Sequence, residues 1–252
     1  MAFVEFEQRG HVGLITINRP EVLNALNLEV IEQLDDILLR AESQEDVHVI
    51  VITGAGRSFV AGADIGEMVN YTADDAKRFS HHGNNTMMHI TRFPRQWIAA
   101  VNGGCELAMS CDIRVASEKA TFGMPEVGLG ITPGFGGTQR LQRIVGMSTA
   151  MELVLTSRTI DAQEALQIGL VTHVYPADVM LDKALELADL IASRPQVAVR
   201  QAKQAIRIGK QIDINSAIAF ESEAFGLCFS TEDQKDAMHA FLNKEKITTF
   251  KN

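Results

Sequence analysis

The stretch "IAAVNGGCELAMSCDIRVAS", Ile98–Ser117, decides how the chain is read. Trp97–Asn102 is a short apolar run suited to a buried strand, and Gly103-Gly104 ends it abruptly. A helix then carries Glu106 among apolar neighbours, Leu107, Ala108 and Met109, and "DIRVAS" is a second short apolar run. Strand, helix and strand in such quick succession predict an α/β protein. A glutamate in buried surroundings needs a partner, so Glu106 is either a satisfied structural carboxylate or the centre of the chemistry.

Working outward, "FVEFEQRGHVGLITINRP" alternates around Gly10 and reads as two strands joined by a tight turn and ended by Pro20. A helix starting near Asn27 as N-cap follows, with Ile31, Leu34 and Leu38 at helical spacing. "VHVIVITG" is a β-branched run bounded by Gly54, as expected of a strand buried on both faces. Asp74–Thr91 reads as helix, "ATFG" as another short apolar run, and Gly136–Ile144 and Met147–Leu155 as helices. Beyond Pro176 four helices are predicted over 179–192, 196–208, 215–229 and 231–243, the last opened by a capping box, Thr231-x-x-Gln234. Strands thus dominate the first two thirds and helices the last. Such a tail must bury an apolar face against its own core or against another subunit, and a homo-oligomer is the expectation.

The 252 residues are 46% hydrophobic and 22% charged, a globular composition. The net charge of -9 leaves no basic field for nucleic acid. Cys105, Cys111 and Cys228 form no CxxC pair and predict reduced thiols in a cytoplasmic protein. No run approaches the ~18 apolar residues of a membrane span, and the first residues read as a strand, with neither signal nor transit peptide expected.

Glu126 stands 20 positions after Glu106, again beside apolar residues, in "FGMPEVGLG". The two are either a catalytic carboxylate pair or surface and ion-pair positions. Glycines cluster around them (Gly103, Gly104, Gly128, Gly130, Gly134, Gly136, Gly137), and glycine lets backbone N–H groups approach a ligand, although ordinary turns use it too. The pattern matches neither a dinucleotide fingerprint nor a phosphate loop. "SFVAGADIGEM", Ser58–Met68, is either a loop presenting N–H groups to a ligand oxygen or a tight strand-to-helix connection. Adjacent His81 and His82 face about 100° apart on a helix and do not make a metal site. Residues 146–150 fall short of a GxSxG elbow.

Taken in order, "NRPEVLNALN", "SFVAGADIGEM", "AAVNG", "GGCELAMSCDIRVAS", "ATFGMPEVGLGITPGFGGTQRL" and "AFLNKEK" resemble the enoyl-CoA hydratase/isomerase (crotonase) family over nearly the whole chain. The resemblance implies a crotonase fold, with repeated ββα turns in a core over 1–195 that holds CoA and active site. A helical oligomerisation region over 196–252 would build a homotrimer or a hexamer. It implies a CoA thioester as substrate and no metal or redox cofactor. Glu106 and Glu126 fall on the family's two hydratase carboxylates, Glu106 as base or anchor and Glu126 as proton donor. The N–H groups of Ala63 and Gly103 fall on the oxyanion hole. Ala61, Asp64 and Ile65 fall on the CoA path, Gly134 near the water and acyl group, and Phe241 and Lys244 on tail positions that reach CoA. The implied reaction is hydration of a trans-2-enoyl-CoA to a 3-hydroxyacyl-CoA. Double-bond isomerisation and a non-catalytic CoA-binding oligomer are the alternatives.

One departure is large. The family pattern carries tyrosine, alanine, leucine and further glycines between "AAVNG" and "GCEL", whereas here Asn102 is followed at once by Gly103-Gly104-Cys105. About five residues are missing, up to roughly 17 Å of chain contour. Either the passage closes with Gly103 N–H near its place, or Glu106 shifts. The expectation is a preserved fold with impaired activity.

Overall fold

A computed structural model describes residues 2–247 and 249–251. In chain order the elements are β1 (Val4–Arg9), β2 (Val12–Ile17), α1 (Leu28–Glu42), β3 (Val49–Gly54), α2 (Ile65–Met68), α3 (Ala73–Arg92), β4 (Gln96–Val101) and α4 (Glu106–Ser110). They continue with β5 (Ile113–Ser117), β6 (Thr121–Phe122), α5 (Gly137–Val145), α6 (Met147–Thr156), β7 (Ile160–Asp161), α7 (Ala162–Gln167) and β8 (His173–Tyr175). Four helices close the described chain: α8 (Met180–Ala192), α9 (Gln196–Gly209), α10 (Ile214–Cys228) and α11 (Glu232–Asn243). Short 3-10 turns lie at Pro20–Val22 and Pro125–Leu129.

Six strands form one sheet in the order β1-β2-β3-β4-β5-β8. The β1–β2 hairpin is antiparallel and every later pairing is parallel. Gly10, at φ 57°, makes the hairpin turn where a side chain would be strained. Parallel neighbours need a crossover, and α1, α3 and α4 supply one between successive strands, which fixes the site-bearing loops at the strand ends. Strands β6 and β7 pair antiparallel in a separate ribbon.

Buried faces explain the apolar runs. Ile50, Ile52, Trp97, Ala99 and Val101 point into a large core shared with α1, α3, α4 and α5. Their alternates Val49, Val51, Ile98 and Ala100 pack instead on Met180, Ala184, Ala188 and Ala192 of α8. With both faces covered, β3 and β4 show no polar alternation.

Helix starts follow capping chemistry. Asn27 accepts from Val30 N–H as expected. Thr231 accepts from Gln234 N–H, but the Gln234 amide turns to Met238 Sδ, so only half of the expected capping box forms. A complete box occurs instead at Thr72 and Asp75, which opens α3.

The tail is tied to the core by Lys203 of α9, whose Nζ donates to Arg95 O at 2.7 Å and Asp112 Oδ2 at 2.6 Å. Elsewhere it is strongly apolar on its surface: Ile206, Ile214 and Phe225 are 74%, 70% and 64% exposed. Among the described residues, no helix is long and apolar enough to cross a membrane.

Candidate active site

Glu106 opens α4 and is buried. Its Oε1 accepts two backbone hydrogen bonds, from Phe135 N–H at 2.9 Å and from Gly137 N–H at 2.8 Å. Gly137 is the first residue of α5, so the helix aims one of its otherwise unpaired N–H groups at the carboxylate. The approach requires glycine, since a Cβ there would lie 2.8 Å from Glu106 Oε1 and 2.0 Å from Met124 Cε. The 134–137 loop is pinned from α3, where Ser80 Oγ and Asn84 Nδ2 donate to Gly134 O at 2.6 and 2.8 Å. Gly134 therefore acts through its carbonyl as an anchor of the loop, while the donors to the carboxylate come from its neighbours.

Glu126 projects from the 3-10 turn begun by Pro125. Its Oε2 is buried and has no hydrogen-bond partner among the described residues. Burial pushes its carboxyl above the ordinary value. Glu106 is pushed up to about 7, first by burial and also by the charge of Glu126, against the lowering effect of the Gly137 and Phe135 N–H groups and of Arg140. Two carboxyls raised by desolvation, with the charge of Glu126 acting on Glu106, suit acid and base work. The charge of Glu126 thus reaches Glu106 across the 20 positions that separate them in sequence.

The shortened passage closes without unravelling either neighbour: β4 runs to Val101 and α4 begins at Glu106. Gly103 and Gly104 bridge it with φ of 114° and 96°. Both are pressed on backbone, since a Cβ at Gly104 would lie 2.0 Å from Val60 O and one at Gly103 2.7 Å from Thr121 O. Only glycine fits either position.

Ala63 is held by a one-residue parallel bridge to Leu26, with Leu26 N–H to Gly62 O at 2.8 Å and Asp64 N–H to Leu26 O at 2.9 Å. Buried Asn24 braces the preceding loop by donating to Ala55 O and Ser58 O. Neither Ala63 N–H nor Gly103 N–H has an acceptor among the described residues. An enclosed cavity of about 10 Å³ lies beside Glu106, lined by Leu26, Phe59, Val60, Gly62, Cys105 and Phe135 among others. That volume is about the size of one water.

The remaining predicted positions are distributed differently. Ala61 and Ile65 are exposed and do not line the cavity. The Asp64 carboxylate is already occupied: it caps α2 through Gly66 N–H and pairs with Arg19 Nη1 at 2.6 Å. Burial acts against its ionised form, but Arg19 and these N–H groups hold it below the usual range. Phe241, 83% exposed, and Lys244, exposed at φ 58°, sit at the end of α11 and not among the residues lining the cavity. Sequence reasoning missed the two N–H donors at Phe135 and Gly137 and their brace at Ser80 and Asn84. The glycine cluster at 134, 136 and 137 was the available signal.

The sequence profile of the enoyl-CoA hydratase/isomerase family matches residues 7–252. The chain is 52% identical to a short-chain-enoyl-CoA hydratase of Clostridium acetobutylicum, covering 99% of this chain and 98% of that one. It is 46% identical to a crotonyl-CoA hydratase of Syntrophomonas wolfei over 95% of each. The first alignment spans 255 positions, more than this chain's 252, so at least three of them face a gap here. An enoyl-CoA hydratase crystal structure from Bacillus anthracis superposes with a TM-score of 0.94 at 36% identity, covering 98% of both chains. Sequence and architecture agree that the chain belongs to the enoyl-CoA hydratase/isomerase family and has the crotonase fold.

Proposed function

We propose that the protein is an enoyl-CoA hydratase, adding water reversibly to a trans-2-enoyl-CoA to give a 3-hydroxyacyl-CoA. The observation that carries this is the buried Glu106 together with the half-buried Glu126, both with raised pKa, and two N–H groups, of Ala63 and Gly103, that have no acceptor among the described residues. The names of the two relatives cited above agree with it.

In the reaction, the substrate thioester oxygen takes the N–H groups of Ala63 and Gly103. Negative charge grows on that oxygen as water adds at C3, and losing one such donor costs ~3–4 kcal/mol of barrier lowering. Glu106, with Oε1 locked by two backbone donors, uses its second oxygen to orient water and take its proton. Glu126, whose carboxyl burial raises above its ordinary value and whose buried Oε2 has no partner among the described residues, delivers the proton to C2. The step consumes water and enoyl thioester only, and so calls for no metal or redox cofactor.

The same reading takes 1–195 as the core with CoA and active site and 196–252 as an oligomerisation region, supported by the exposed apolar residues of α9 and α10. A homotrimer or dimer of trimers would cover these faces, and Phe241 and Lys244 would meet CoA across a subunit boundary. The three free cysteines fit a cytoplasmic setting, and fatty-acid oxidation is the fitting pathway class.

The test is loss of the enoyl-thioester absorbance of crotonyl-CoA. Turnover that disappears in Glu126→Gln supports the reading. A folded, CoA-binding protein with no turnover would overturn it in favour of a non-catalytic oligomer.

A further inference from the structure

The segment that contains both Gly103 and Glu106 is closed at its base by one carboxylate. Asp112, two residues beyond α4, donates its N–H to Trp97 O at 3.0 Å. In return, its Oδ2 accepts Trp97 N–H at 2.8 Å. Trp97 is fully buried near the start of β4. Residues 98–111 are therefore a loop with pinned ends, holding the strand, the two-glycine passage and the helix of the base. The same Oδ2 also takes Lys203 Nζ at 2.6 Å.

Lys203 comes from outside this loop, from α9 in the tail, and its side chain is only 5% exposed. Its second bond, to Arg95 O, reaches the residue just before β4. Burial lowers the Lys203 pKa and Asp112 opposes that shift, as expected of an ammonium retained in a desolvated site by its counter-charge. One ammonium thus joins both ends of the loop to the tail. Elsewhere the loop has little slack: Gly103 and Gly104 rest on the Thr121 and Val60 carbonyls.

We propose that Lys203 is a positioning residue, holding the base of the 98–111 loop so that Gly103 N–H and Glu106 keep their mutual placement. This rests on the hydratase reading above and adds to it a dependence of the site on how the tail helix is docked. Lys203 touches no reacting atom, so its removal should lower kcat and leave KM for the CoA thioester nearly unchanged.

The experiment compares the full-length protein with Lys203→Met, Lys203→Arg and Asp112→Asn. Asp112→Asn keeps an acceptor for Trp97 N–H and guards against a Lys203 variant that fails to fold. The expected result is a kcat lowered about tenfold or more in Lys203→Met and Asp112→Asn, KM within about twofold, and partial recovery in Lys203→Arg. Amide hydrogen exchange over 98–111, read by mass spectrometry, should be about tenfold faster in both charge-removing variants. Wild-type kcat in a folded Lys203→Met, or unchanged exchange over 98–111, overturns the proposal. Should wild type itself fail to hydrate crotonyl-CoA, the hydratase reading falls, and the exchange comparison still decides for or against the role of Lys203.

Discussion

Gly137 N–H donates to Glu106 Oε1 at 2.8 Å, and the hydrogen of Gly137 that a Cβ would replace faces the same oxygen. The position and orientation of the base therefore depend on a residue with no side chain, at the start of a different helix. Gly137→Ala should move Glu106, while the nearest other atom, Met124 Cε, is the end of a flexible side chain that can give way. The expected outcome is a kcat loss of about 10- to 100-fold with a small change in Tm. Steady-state hydration and thermal unfolding on the same sample check it.

Glu126→Gln keeps the size of the side chain and removes the proton to be delivered. A loss of about 10²- to 10⁴-fold in kcat is expected, with CoA binding retained. Spectrophotometric turnover and calorimetric CoA titration separate the two effects.

The pH behaviour follows from Glu106 at about 7 in the folded protein, against an ordinary value of 4.5. As a base it must be ionised, so kcat/KM should rise with pH through about 7. Stability runs the other way. The folded state holds this proton more tightly than the unfolded chain, so the contribution is complete below 4.5 and is lost as pH rises through about 7. The difference is on the order of 3 kcal/mol. Glu106→Gln should therefore stabilise the protein more at pH 8 than at pH 5, as denaturant melts at both values would show.

The two-glycine passage between Asn102 and Cys105 leaves α4 intact but no slack around Gly103. Inserting Tyr-Ala-Leu-Gly-Gly after Gly103 restores the family length. If the short passage impairs placement of the oxyanion donor, kcat/KM for crotonyl-CoA should rise about tenfold or more. Equal rates in the two proteins would show that the short form already places the donor.

Phe225 and Phe229 pack with their rings tilted at 59° and 5.0 Å between centres at the C-terminal end of α10, and Phe225 is 64% exposed. Phe225→Glu should shift an assembled protein towards monomer, with an aromatic anchor of this kind worth about 2 kcal/mol or more at an interface. Light scattering after size exclusion reads the mass directly.

Much of the architecture was legible in the residues. The periods of β1, β2 and α1, the doubly buried runs of β3 and β4 and the four tail helices all follow from pattern and capping chemistry. The short elements were not legible: α2, α7, β7 and β8 have two to six residues each, too few for a period to emerge. Of the candidate site, the burial of Glu106 was legible because an acid stands out among apolar neighbours. The donors at Phe135 and Gly137 were not, because a backbone N–H has no signature in sequence. Asp64 shows the complementary case, since its pairing with Arg19 joins residues 45 positions apart.

The sheet separates two interiors, and their contents differ in kind. Leu107, Met124 and Phe135 belong to the interior bounded by α1, α3, α4 and α5. The one under α8, built on Ala184, Ala188 and Ala192, contains no residue assigned to the chemistry. Substitutions of Ala184, Ala188 or Ala192 consequently act first on stability, by overpacking or loosening α8 against the sheet, whereas those in the other interior reach the carboxylates as well.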